Sequence, residues 1–276
     1  MSTLAVAKKD FQDALRSRAL WGLSVLFILL SLFIAYAFAE FTTEMGIEEQ
    51  TAEGLAYFLA SQIGLFVSVT AIVIAYKAIA GERESGSIKI LLSLPHTRRD
   101  VLLGKVLGRS ATLAVPTLIG LAAGAALGSV LMGEFAVVAL GALLAMSLLF
   151  VVTYISIVVG LSALTGSTSR ASMLTIGYFL VFEFLWGAVS FGVVWLMNGF
   201  SLPSEMPNWV FLVNQVPPSA AFTTGLTALM PGDIPAATDP DFQAFYATPW
   251  LGLVILAFWL VVPLAIGYWR FSKADI

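Results

Sequence analysis

The sequence predicts an all-α polytopic membrane protein with six transmembrane helices, on three observations. Its 276 residues are 59% hydrophobic and 11% charged, against about 45–50% and 25% in a soluble domain. Several uncharged runs reach the roughly 20 residues that a helix needs to cross a bilayer core. All 14 Lys and Arg fall at the ends of those runs or in every second loop between them. The net charge of −3 says less than this placement, because placement is what sets orientation.

Taken in order, the chain divides one membrane domain, 1–276, into the following parts. In 1–19, Leu4, Ala7, Phe11, Ala14 and Leu15 share one helical stripe, and Lys8, Lys9, Asp10, Gln12, Asp13 and Arg16 take the other side. This pattern predicts an interfacial helix. Leu20 to Ala39 then gives 20 residues without a charge, about 30 Å of helix, and is the first span, 20–39. Ala37-Phe38-Ala39 imitates a leader cleavage site, but the run exceeds the roughly 7–15 residues of a leader's apolar core. An acidic loop with Glu40, Glu44, Glu48, Glu49 and Glu53 leads to the second span, 55–80. A charged loop, 81–109, follows. The third span, 110–132, and the fourth, 135–164, are separated by a tight turn at Gly133-Glu134. The fifth covers 171–197 and the sixth 250–269.

The segment 198–248 carries 27 uncharged residues between Glu205 and Asp233, divided by Pro217-Pro218. Neither half is long enough to span, so two short helices are expected, near Trp209–Val216 and Ser219–Met230, re-entrant or packed over the bundle. Pro203, Pro207, Pro231, Pro235 and Pro240 frame ordered turns.

Six spans put both termini on one side. Lys8, Lys9, Arg16 and Arg18 precede the first span, and Lys77, Arg83, Lys89, Arg98, Arg99, Lys105 and Arg109 lie between or at the ends of the second and third. Arg170 joins the fourth to the fifth, and Arg270 and Lys273 follow the sixth. By the positive-inside rule that side is cytoplasmic. Glu134, Glu205, Asp233, Asp239 and Asp241 join the acidic loop on the other side. The expected location is the plasma membrane, with both termini in the cytoplasm.

Much chemistry is excluded. With no Cys and the single His96, no disulfide, thiolate nucleophile or His/Cys metal site is available, so no metal is predicted. Gly81, Gly86 and Ser87 have the spacing of a P-loop, but Ser stands where that loop needs Lys, and acids occupy it. No catalytic residue and no cofactor in this chain are predicted. An ion-coupled transporter would show several ionisable groups within the membrane, whereas the spans contain Glu183 alone. Glu183 either lines a translocation path or holds a helix interface. Gly120, Gly124 and Gly128 form a small-residue face for helix packing in the third span. A membrane enzyme is disfavoured, because no pair of catalytic groups shares a depth.

The cytoplasmic stretch from Gly81 to Lys105 offers a docking element instead. Ser87 starts a short helix in which Ile88, Ile90, Leu91, Leu92 and Leu94 are apolar, Lys89 and Ser93 share a polar face, and Pro95 stops it. So short and apolar a helix needs burial in the interface or against a partner. Glu82, Arg83, Glu84, Arg98, Arg99 and Asp100 ring it with both signs of charge, as at the polar rim of a protein contact.

Glu82, Glu84, Gly86, Ser87, Ile88, Leu91, Leu92, Pro95, Thr97, Arg98, Val101, Leu102, Gly104 and Lys105, in that order, resemble the cytoplasmic motif of exporter-like type-2 ABC transporter permeases. The resemblance covers the whole chain, and it is also similar to the branch associated with copper-enzyme maturation for nitrous oxide reduction. Lys89 and His96 depart from the family pattern, which leaves the identity of the ATPase partner open. The resemblance implies a coupling helix in 81–105 seated on a separate ATP-binding subunit that carries ATP and Mg. It also implies two such subunits, a second permease copy as homodimer or heterodimer, contact with membrane lipid, and no nucleic acid. The expected function is that of the membrane subunit of an ATP-driven exporter. The alternative is a mechanical anchor that passes ATPase motion to an extracytosolic partner through 198–248. The substrate is not written in the sequence.

Overall fold

A computed structural model describes residues 3–16, 18–44, 51–93, 97–203, 206–230 and 248–274. Among them the chain is helical, and six helices are long and apolar enough to cross a membrane. α1 (Thr3–Leu15) buries Val6 and Ala7. It packs along α6 (Arg98–Met132), where a Cβ on Gly104 would stand 2.6 Å from Val6 and one on Gly108 would stand 2.8 Å from Asp10. α2 (Arg18–Glu44) and α3 (Ala52–Ala75) are the first two spans. α3 is capped by Thr51, whose side chain accepts from the Gly54 amide.

The second span does not run straight to residue 80. It breaks after Ala75, and a one-turn helix, α4 (Ala80–Glu84), follows. Ser162 explains the break. Its hydroxyl oxygen accepts from the amides of Ile79 (3.2 Å) and Ala80 (3.1 Å) and donates to the Tyr76 carbonyl (2.7 Å). One buried side chain thus satisfies backbone groups that the break leaves without helical partners.

α5 (Ser87–Ser93) follows a turn in which Gly86 takes a left-handed φ of 76°. The third helix then begins at Arg98 rather than at residue 110, so that 98–109 is helical and not loop. At about 1.5 Å per residue its 35 residues reach roughly 50 Å, well beyond the hydrocarbon core. Hydropathy marks where a helix enters lipid, not where it starts. Thr97 and Asp100 start this one with a capping box, Thr97 accepting from the Asp100 amide and Asp100 from the Thr97 amide.

α7 (Val137–Ala163) is the most enclosed span, with Phe150, Tyr154, Val151 and Val159 in the core. The fifth span is composite. α8 (Thr168–Phe179) passes through a π-helical turn, Leu180–Leu185, into α9 (Trp186–Met197). The two short helices of the outer segment are α10 (Asn208–Asn214) and α11 (Pro218–Thr227), close to their expected bounds. α11 buries Ala221, Phe222 and Leu226 in the bundle, and Phe222 stacks on Phe150 at 4.7 Å. α12 (Trp250–Ser272) is the sixth span. Glu205 and the acids and prolines expected between 231 and 241 lie outside the described residues.

Both ends of the chain meet the start of α6. The Thr3 hydroxyl donates to Asp100 at 2.6 Å, and Arg98 donates to the Ala274 carbonyl at 2.8 Å. The two termini therefore share one end of the bundle, which is also where the basic residues gather.

Candidate functional site

At this basic end α4 is held by groups from α6, α7 and α8. Lys105 Nζ stands 2.7 Å from Glu82 and 3.0 Å from Asp10, and Arg109 Nε is 2.8 Å from Asp10. Two acids and two bases thus tie α4 to α6 and α1, in a largely enclosed position. Arg109 also donates to the Ile74 carbonyl at the end of α3, where the last carbonyls of a helix lack intrahelical donors.

Glu84 reaches sideways. Its carboxylate accepts from the Thr168 amide at 3.2 Å, at the first residue of α8. Hydrogen bonds from the Thr168 hydroxyl and amide hold the Glu84 carboxyl below the usual carboxylate range. Arg83 donates to the Ala163 carbonyl at 3.5 Å and lies against Gly166. Arg98 donates to the carbonyls of Phe271, Ser272 (3.0 Å) and Ala274 and covers the Phe271 ring. It closes the C-terminus of α12 as a positive charge favourably placed at the dipole's negative end.

The charged rim read from the sequence is therefore partly turned inward, since Glu82, Glu84 and Arg98 all bind within the chain. Arg99 remains exposed. α5 divides its apolar residues in the same way. Ile88 is 1% exposed, Leu91 packs against the core, and Ile90 stands 72% exposed beside Lys89. Ser87 begins the helix and donates to the Glu82 carbonyl. Leu92 lies in α5, while Pro95 and His96 lie outside the described residues.

A cavity of about 1020 Å³ opens between α1, α2, α3 and α6, directly behind this segment. Leu23, Leu26, Val69 and Val73 give it an apolar wall, and Asp10, Lys105 and Arg109 a charged end. Glu82 and Leu91 line it as well. Any displacement of α4 and α5 must change the shape of this cavity.

Glu183 lies in the π-helical turn between α8 and α9. The hydroxyls of Tyr154 and Ser219 face its carboxyl, and its Oε1 is buried without a hydrogen-bond partner. Tyr178, Phe182 and Trp259 form a closed triangle of ring contacts in the same region, and Trp186 stacks on Phe182, all at 4.7–5.3 Å. Trp186 donates to the Val213 carbonyl, Trp259 to that of Val216, and Ser190 to the Asn214 side chain. The Glu183 region is thus where the outer helix α10 is fastened to the fifth and sixth spans. π-turns inserted in helices are frequent at functional sites.

A family model described as ABC-2 family transporter protein matches residues 4–276. The chain belongs to the ABC-2 transporter family. It is 31% identical over 277 residues, 98% of both chains, to a protein of Pseudomonas aeruginosa described as a probable ABC transporter permease protein NosY. It is also 31% identical over 214 residues, 76% of both chains, to a protein of Stutzerimonas stutzeri with the same description. The resemblance to type-2 ABC permeases, and to the branch containing these two proteins, is therefore shown. This ABC-2 chain is a multi-pass membrane permease subunit with no ATPase site of its own, and membership implies an ATPase partner and a dimeric arrangement.

Several residues of this ABC-2 permease carry the architecture without having been singled out. Ser162 sets the break before α4, and Asp10 joins the N-terminal helix to Lys105 and Arg109. One serine among three in a span, and an acid on an amphipathic face, give no distinguishing signal. In the third helix, a Cβ on Gly120 would meet the Phe27 carbonyl at 2.7 Å, and one on Gly124 the Ser31 carbonyl at 2.7 Å. Gly128 faces Leu55. A comparable close crossing joins Gly160 of α7 to Gly267 of α12, glycines with no partner at four-residue spacing in their own helices.

Proposed function

We propose that the chain is the membrane subunit of an ATP-driven exporter and that α5 is its coupling helix. In this reading α5 sits in a groove of a separately encoded ATP-binding subunit, which supplies ATP and Mg. Two permease copies and two ATPases make the complex, since six spans are half of a pore. It lies in the plasma membrane with both termini in the cytoplasm, because all 14 Lys and Arg gather toward one end of the bundle.

The observation that carries the reading is the double attachment of α4 and α5. Ile90 is left outside for a partner, while Glu82 and Leu91 line the large cavity and Lys105 ties Glu82 to α6. A push on α5 from outside is thereby passed to the walls of the cavity. The cavity's mixed wall suits an amphiphilic cargo rather than a highly charged one.

The test is purification of the permease with its ATPase, comparing the native chain with Ile90→Asp. A charge placed at the centre of an apolar contact loses at least about 1.4 kcal/mol, or tenfold in affinity. Recovery of the ATPase is expected to fall accordingly while insertion and thermal stability stay unchanged. Undiminished recovery would reject α5 as the coupling helix. Cargo movement in proteoliposomes that requires ATP inside or outside then fixes the direction.

A further inference from the structure

A second cavity, about 440 Å³, opens at the same end of the bundle but on its other side. Arg83, Leu164, Thr165, Gly166, Arg170, Arg270, Lys273 and Ala274 line it. Four of these are cations, and among the described residues no acid lines the cavity. Arg83 has Arg270 and Arg98 as like-charged neighbours. Among the described residues, neither Arg170 nor Arg270 has an ion-pair partner. The two acids that flank Arg83 in sequence are engaged elsewhere, Glu82 with Lys105 and Glu84 at the Thr168 amide. Like charges held together at this density repel one another unless an anion lies between them.

What the two flanking helices present next is apolar. One turn from Arg170, α8 exposes Met173 (72%) and Leu174. One turn back from Arg270, α12 exposes Ile266, with Trp269 beside it at 57% exposure. Trp269 and Tyr268 are the residue types that settle at headgroup depth, and Lys273 lies over the Trp269 ring at 4.4 Å. Cations above, indole at the boundary and a bare aliphatic surface below give the profile of a phospholipid, with phosphate at one end and acyl chains at the other.

We propose that the Arg83, Arg170, Arg270 and Lys273 cavity is a binding site for the phosphate of an anionic phospholipid, with its acyl chains laid along Met173, Leu174 and Ile266. The site keeps its geometry through Arg98, which fixes the end of α12 and thereby Arg270 and Lys273. It is separate from α5 and does not depend on which ATPase docks there.

The test places the full-length permease in phosphatidylcholine nanodiscs containing a minor fraction of phosphatidylglycerol and counts retained lipids by native mass spectrometry. The native protein is expected to retain phosphatidylglycerol in excess of its fraction. Each cation removed, as in Arg170→Gln and Arg270→Gln, is expected to lower that excess roughly fivefold, the equivalent of ~1 kcal/mol per basic residue. Arg16→Gln, an exposed cation at the same end, is expected to leave it unchanged. No excess in the native protein would overturn the proposal whatever the variants do. An equal loss in Arg16→Gln would overturn it in favour of a diffuse surface attraction. Displacement of the lipid by millimolar inorganic phosphate would overturn it in favour of a free-anion site. Loss of the excess on dimerisation or on binding of the ATPase would assign the cavity to a protein contact.

Discussion

Lys105 Nζ lies between two carboxylates from different helices, 2.7 Å from Glu82 and 3.0 Å from Asp10. The glycine that precedes it lets α1 approach at Val6, and Gly108 one turn on leaves room for Asp10. A Gly-Lys pair at the start of a long helix thus has a physical meaning here. The glycine admits the N-terminal helix, and the lysine joins it to α4.

Replacing Lys105 by Met leaves two enclosed carboxylates facing each other. Coupling between Lys105→Met and Glu82→Gln in a double-mutant cycle is expected at about 0.5–3 kcal/mol, the range for residues in one salt-bridge network. Thermal unfolding of the purified permease measures it. The same Lys105→Met variant should bind ATPase normally yet show weaker dependence of ATP turnover on cargo, because α5 is intact and its link to α6 is cut. Purely additive effects would remove the link.

Arg98→Gln removes the guanidinium that caps three carbonyls at the end of α12. The loss should be about 1.5–3 kcal/mol, as for hydrogen bonds to a charged group. Limited proteolysis is the sensitive reading, since the change should appear first as faster cleavage after Ser272. Arg99→Gln, an exposed neighbour, is expected to be silent in both measurements.

Gly160→Val should be strongly destabilising. The Cβ position already falls 2.5 Å from the Pro263 carbonyl oxygen, so α7 and α12 must separate along their crossing, at about 1–3 kcal/mol or more. Gly141, in the same helix with nothing near its Cβ position, should accept alanine without loss. Matched stability of Gly160→Val and the native chain would contradict the crossing.

The number of spans and the helical class were legible because each apolar run exceeds what a soluble helix needs. Their ends were not. Residues 98–109 carry four of the basic side chains, and a hydropathy reading stops at the first of them from the lipid side, although the Thr97–Asp100 cap announces the true start. The docking stretch was visible as an island of charge. What its charges do was hidden, because Lys105, Thr168 and the α12 carbonyls reach Glu82, Glu84 and Arg98 from elsewhere in the chain or further along it. The π-turn at Glu183 leaves no mark in residue spacing, since it arises from how the fifth span meets α10 and α12.

The Ser162 staple sets an order of assembly. The amides of Ile79 and Ala80 wait for a hydroxyl that lies 83 and 82 residues further along the chain. A nascent polypeptide that has inserted only three helices therefore lacks the group that fixes the geometry ahead of α5. The shape of the chain at α4, just ahead of α5, becomes a late-maturing property, acquired when the fourth helix seats. A partner that recognises that shape can meet it only on chains whose fourth helix is in place.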